Sequence, residues 1–244
     1  MSPSPLSLPA SGSPAAHDRR FFLGMAILIM ITVVIGFGLN AARYHFNVST
    51  LPVHVHVHAA IFASWVILYV VQNALVVADN IALHRRLGIF GACLAAVMTG
   101  YGLFTTIACL QRGAVPPFFP PSVFLLVDGL AVLVFLGLVT AAIALRGSPA
   151  WHKRLMLGAT ILVISPAFGR ILPMPLLGAL APWAVFGCMI LYVAFGMAYD
   201  LRHSKRVHPA YLVVILVLTA LQLAIGVLAF SPPVLRLTQS LIGG

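Results

Sequence analysis

Residues 21–40 read FFLGMAILIMITVVIGFGLN, twenty residues without one charge. A helix of that length covers about 30 Å at 1.5 Å per residue, the thickness of a bilayer's hydrocarbon core. Asp18-Arg19-Arg20 stands in front of the run, so it has the positive flank and apolar middle of a signal peptide. It is long enough to span, however, and no small-x-small cleavage pattern follows it. The sequence therefore predicts a retained first transmembrane helix. Ahead of it, residues 1–17 are rich in Ser, Pro and Ala without periodicity and read as a disordered cytoplasmic tail.

The rest of the chain repeats this pattern. Six more apolar runs follow, at about 56–78, 87–108, 122–145, 155–173, 177–199 and 210–230. None alternates as barrel strands would. Of 244 residues, 61% are hydrophobic and 7% charged, with a mean hydropathy of +1.08. Soluble domains carry about a quarter charged residues, so water cannot be the solvent for most of this surface. The fold class that follows is all-α: an integral membrane bundle of seven helices, with residues 18–244 forming one transmembrane domain.

The net charge of +10 comes from 14 Lys and Arg against four Asp. The basic residues cluster between apolar runs, which points to lipid headgroups and topology rather than nucleic acid. With the N-terminus inside, the inner segments hold Arg19, Arg20, Arg85, Arg86, Arg146, Lys153, Arg154, Arg202, Lys205 and Arg206. The outer side holds only Arg43, Arg112, Arg170 and Arg236. This bias predicts an inner-membrane protein with its N-terminus in the cytoplasm and its C-terminus outside. The loops are too short for an extramembrane domain, and no Walker, dinucleotide or GxSxG motif occurs. Cys93, Cys109 and Cys188 stand singly in apolar runs and read as small packing residues.

Leu83-His84-Arg85-Arg86-Leu87-Gly88 opens the third run, and Trp151-His152-Lys153-Arg154-Leu155-Met156 opens the fifth. A Gly-Ala pair follows each, at Gly91-Ala92 and Gly158-Ala159. Residues 56–108 and 122–173 thus read as two hairpins in parallel repeat, making spans two to five a four-helix core. Together with His58-Ala59-Ala60, Trp65 and Gln72, these motifs resemble an uncharacterised bacterial family of multispan membrane proteins. That family has His-Arg-x-x-Gly and His-x-x-x-Met elements, and the likeness covers roughly residues 54–172. The core is more distantly similar to b-type membrane cytochromes and haem A synthase. That resemblance implies haem b held between histidines, although no obvious pair lies deep in facing helices here.

Several polar residues become site candidates. His84 and His152 hold corresponding repeat positions and suit axial haem ligation, with His58 as a further ligand. The same two residues equally suit lipid phosphate at a helix start. In His54-Val55-His56-Val57-His58, a helix puts His54 and His58 on one face at a metal-ligand spacing. His17 and His45 have no such context. Asp128 and Arg170 fall at similar depths in sequential, antiparallel spans. Charges there cost a few kcal/mol each unless paired or wetted, so the two are expected to face each other, with His58 near them in one outer cavity. A structural ion pair that fixes helix register is the alternative. Ser165-Pro166 is expected to bend the fifth span beside Arg170. Gln72 and Asn73 suit hydrogen bonds between helices.

Three function classes survive. One is a haem-binding or quinone-linked redox protein. Another is a small proton-coupled transporter using Asp128 and Arg170. The third is a non-catalytic subunit or assembly factor bound to other membrane proteins.

Overall fold

The computed structural model describes residues 14–44, 51–116 and 119–243. Among them it is helical throughout, with no strand. The long helices are α1 (Pro14–Tyr44), α2 (Val53–Val77), α3 (Ile81–Gln111) and α4 (Pro121–Ala144). The fifth apolar run divides into α5 (Pro149–Val163) and α6 (Ser165–Ile171). A short α7 (Met174–Leu177) and a 3-10 turn lead into α8 (Ala181–Ser204), followed by α9 (Pro209–Leu228) and α10 (Pro232–Gly243). Several boundaries differ from expectation, α3 and α5 each beginning six residues earlier than the apolar runs indicate. Residues 14–17, read as tail, are the first turn of α1, and α10 is a helix the apolar pattern did not anticipate. The expected tail's residues 1–13, and His45, lie outside the described residues.

Local chemistry sets the helix ends. Pro121, Pro149 and Pro209 open α4, α5 and α9, where a missing N–H costs nothing. The Asn80 side chain accepts from Leu83 N at 3.2 Å and caps α3. At the end of α2, Asp79 adopts the left-handed conformation with φ 57°. Arg19 donates to the Val76 carbonyl at 3.1 Å and to Asp79 at 2.7 Å, closing that terminus with a cation.

Helices α2 to α5 form a group in which each packs on the next in the chain. Trp65 of α2 sits at its centre. The indole meets Phe135 of α4 edge-on at 4.9 Å and donates to Thr160 Oγ1 of α5 at 3.3 Å. Helix α1 lies along α2 and α6, α9 covers α4, α5 and α8, and α10 crosses α3 and α4. Ile89, Leu216 and Val227 face outward, an arrangement that suits lipid.

The fifth span bends by 45° between α5 and α6. Pro166 supplies no N–H there, and its ring displaces the preceding turn. Helix α1 holds both pieces. Asp18 near the start of α1 pairs with Lys153 near the start of α5, and Arg43 at the far end of α1 donates to the Arg170 carbonyl in α6 at 3.0 Å. Helices α5 and α6 are therefore each tied to α1, one at either end. Counting them as one broken span, seven spans cross the bundle.

Candidate functional site

Three of the chain's four aspartates are fixed by salt bridges at the basic end of the bundle. Asp18 pairs with Lys153, Asp79 with Arg19 at 2.7 Å, and Asp200 with Arg154. The last of these is a buried fork. Arg154 Nε and Nη2 reach the two Asp200 oxygens at 3.0 and 2.5 Å, and the side chains are 7% and 2% exposed. Asp200 also accepts from the His208 backbone N–H at 3.0 Å, while Arg154 lies over the Tyr211 ring at 5.4 Å. This latch joins α5, α8 and α9. Sequence reading misses it because both residues stand next to loops and look like headgroup charges; the one clue is that Asp200 closes an apolar run.

Asp128 is different. It lies seven residues into α4 at the opposite end and has neither a salt bridge nor a hydrogen bond among the described residues. It is electrostatically coupled to Arg170 across the bundle and lies near Cys109 of α3. Arg170 is coupled in turn to His58. The structure thus brings His58, Asp128 and Arg170 within electrostatic reach of one another, without a direct Asp128–Arg170 bridge. Arg170 instead donates to the Pro166 carbonyl at 2.9 Å and lies over the Phe37 ring at 4.2 Å. Its Nε is buried without a partner, as is Nδ1 of His58. Three ionisable groups with unused bonding capacity therefore converge beside the break in the fifth span.

The remaining candidates divide by end. His58 stacks on Phe62 at 4.2 Å, and His54 meets Phe104 edge-on at 6.1 Å, so both rings face aromatic neighbours. No cluster of three His, Cys or Asp side chains with metal-site geometry gathers among the described residues. Asn73 turns back to the Tyr69 carbonyl of its own helix at 2.8 Å rather than reaching across. Gln72 Oε1 is buried without a partner.

At the basic end, the His84 and His152 rings stand 6.4 Å apart at 88°. Nδ1 of His84 faces the Gln72 carbonyl at 3.4 Å, and Nδ1 of His152 faces the Ala142 carbonyl at 2.8 Å. Each ring is thus held by the end of the preceding span. Haem between them needs an open face for the porphyrin. The Gln72 amide nitrogen lies 3.7 Å from where a Gly88 side chain would begin.

No family model, curated protein or solved structure matches the chain.

Proposed function

We propose that the protein is a small proton-coupled membrane transporter in which Asp128 carries the proton or coupling cation and Arg170 is its electrostatic partner. The observation that supports this reading is the contrast among the four aspartates. Asp18, Asp79 and Asp200 are neutralised by direct salt bridges, whereas Asp128, inside a span, is not. A carboxylate left without a salt bridge in a membrane helix is relieved by taking up a proton or a cation, and such groups mark transport pathways. A purely structural ion pair would close the gap to Arg170, and this pair stays open. The fifth span bends by 45° just before Arg170, and broken helices line the sites of many transporters.

The basic end is the cytoplasmic face in this reading, following the distribution of Lys and Arg. Asp128 then opens toward the outside, where the proton enters.

Proteoliposomes with an imposed pH gradient, screened against amino acids, sugars, organic acids and inorganic cations, test the proposal. Wild-type protein is expected to give solute-dependent proton uptake. Asp128→Asn abolishes it while leaving the helical content and elution volume unchanged, and Asp128→Glu retains part of it. Uptake by Asp128→Asn at the wild-type rate would overturn the assignment.

A further inference from the structure

The basic end holds a second cluster that the Asp128 site does not use. His84 and His152 open α3 and α5, and each points Nδ1 at a backbone carbonyl. A carbonyl oxygen only accepts, so Nδ1 carries the hydrogen in both rings and Nε2 keeps its lone pair. This is the arrangement in which a histidine ligates a metal, its other nitrogen held by a carbonyl. An ion bound at about 2.0–2.1 Å by two imidazoles puts their ring centres roughly 6 Å apart, and the observed separation is 6.4 Å. Gln72, whose carbonyl holds His84, adds a buried Oε1 with no hydrogen-bond partner.

We propose that His84 and His152 bind one monovalent copper ion between their Nε2 atoms, linking the first turns of α3 and α5. Charge selects the ion. No carboxylate is free at this end, because Asp18, Asp79 and Asp200 are each paired with a cation. Arg85 and Arg86 follow His84 directly, and Lys153 and Arg154 follow His152. A dication with two neutral ligands would keep its full charge beside these side chains. Cu(I) carries half that charge, accepts imidazole, and is satisfied by two ligands.

The test uses the full chain in mild detergent under anaerobic conditions, titrated with Cu(I) against bicinchoninate. One Cu(I) per chain is expected, with an X-ray absorption spectrum showing two nitrogen donors. The informative variant is His84→Asn/His152→Asn. Asparagine Nδ2 stands where histidine Nδ1 does, so the carbonyl bond is kept and only the Nε2 ligand is lost. Affinity should fall by more than about 100-fold, beyond the loss that follows removal of an outer partner alone. Wild-type protein that takes no copper from bicinchoninate, a spectrum dominated by sulfur, tighter binding of Zn(II), or a double variant that binds like wild type would each overturn the proposal. Asp128→Asn should bind copper normally, so this site stands or falls independently of the transport reading.

Discussion

His208 shows how a single residue ties the basic end to pH. Its Nδ1 accepts from Ala210 N at 3.2 Å and caps α9, which requires the neutral ring. Burial, and then the Arg154 guanidinium, hold its proton affinity below the ordinary histidine value; Lys153 acts in the same direction and Asp200 against it. Trp151 packs edge-on against the ring at 5.1 Å. The folded chain therefore binds this proton less readily than the unfolded chain. The associated stability is complete above the ordinary value of about 6.5 and is lost as pH falls through it toward the folded value. Melting temperature in detergent should drop between about pH 7 and pH 5. His208→Ser keeps a capping oxygen without the titration, so its drop should be smaller; an equal drop in both proteins would place the sensitive group elsewhere. The neighbouring Arg154–Asp200 fork is the kind of buried pair in which losing one partner costs about 3–5 kcal/mol. Its burial depends on three helices meeting, and for that reason it is not visible in the linear sequence.

At the level of elements, most of the fold is legible because lipid imposes one requirement on every span: about twenty apolar residues with few charges. The bend before Arg170 is equally legible, since Ser165-Pro166 interrupts an otherwise continuous run. Helix α10 is not. Its twelve residues are too short to span and include Arg236, Thr238, Gln239 and Ser240, so it has no apolar-run signature. The open Asp128–Arg170 geometry is hidden for a related reason. Depth counted from an expected span start at residue 155 is misplaced, because α5 begins at Pro149 and the chain then bends. What holds the broken piece in place is close packing with α1. A Cβ added at Gly36 would lie 2.6 Å from the Ala167 carbonyl oxygen and 3.0 Å from Ala167 Cα, both backbone atoms that cannot rotate away. Gly38, two residues on, has open space. Gly36→Ala should therefore destabilise the protein by about 1–3 kcal/mol, as overpacking does. Gly38→Ala should be neutral or slightly stabilising through helix propensity. Thermal melts of the two variants side by side check this, and equal melting temperatures would mean that α1 and α6 are not in backbone contact.

For the whole molecule, the decisive quantity is the parity of the spans. Helix α5 alone is fifteen residues, about 22 Å, too short to cross about 30 Å of hydrocarbon. With the seven residues of α6 the path reaches about 33 Å before the bend is allowed for, enough for a full crossing. Helix α1 contacts this pair at both ends. Seven crossings would put the two termini on opposite sides, and the excess of Lys and Arg leads to the expectation that the N-terminus is cytoplasmic. A green fluorescent protein fused at the N-terminus should fluoresce, and alkaline phosphatase fused after α10 should be active. If the pair were re-entrant, six crossings would return the C-terminus to the cytoplasm and the phosphatase would be inactive. The same experiment bears on the site, because a re-entrant α5–α6 would leave Arg170 on the side it came from. Asp128, seven residues from the far end of α4, could then not be coupled to it. An inactive phosphatase would therefore remove the seventh span and the Asp128–Arg170 site together, whereas activity would support the broken helix as the element that carries Arg170 across to Asp128.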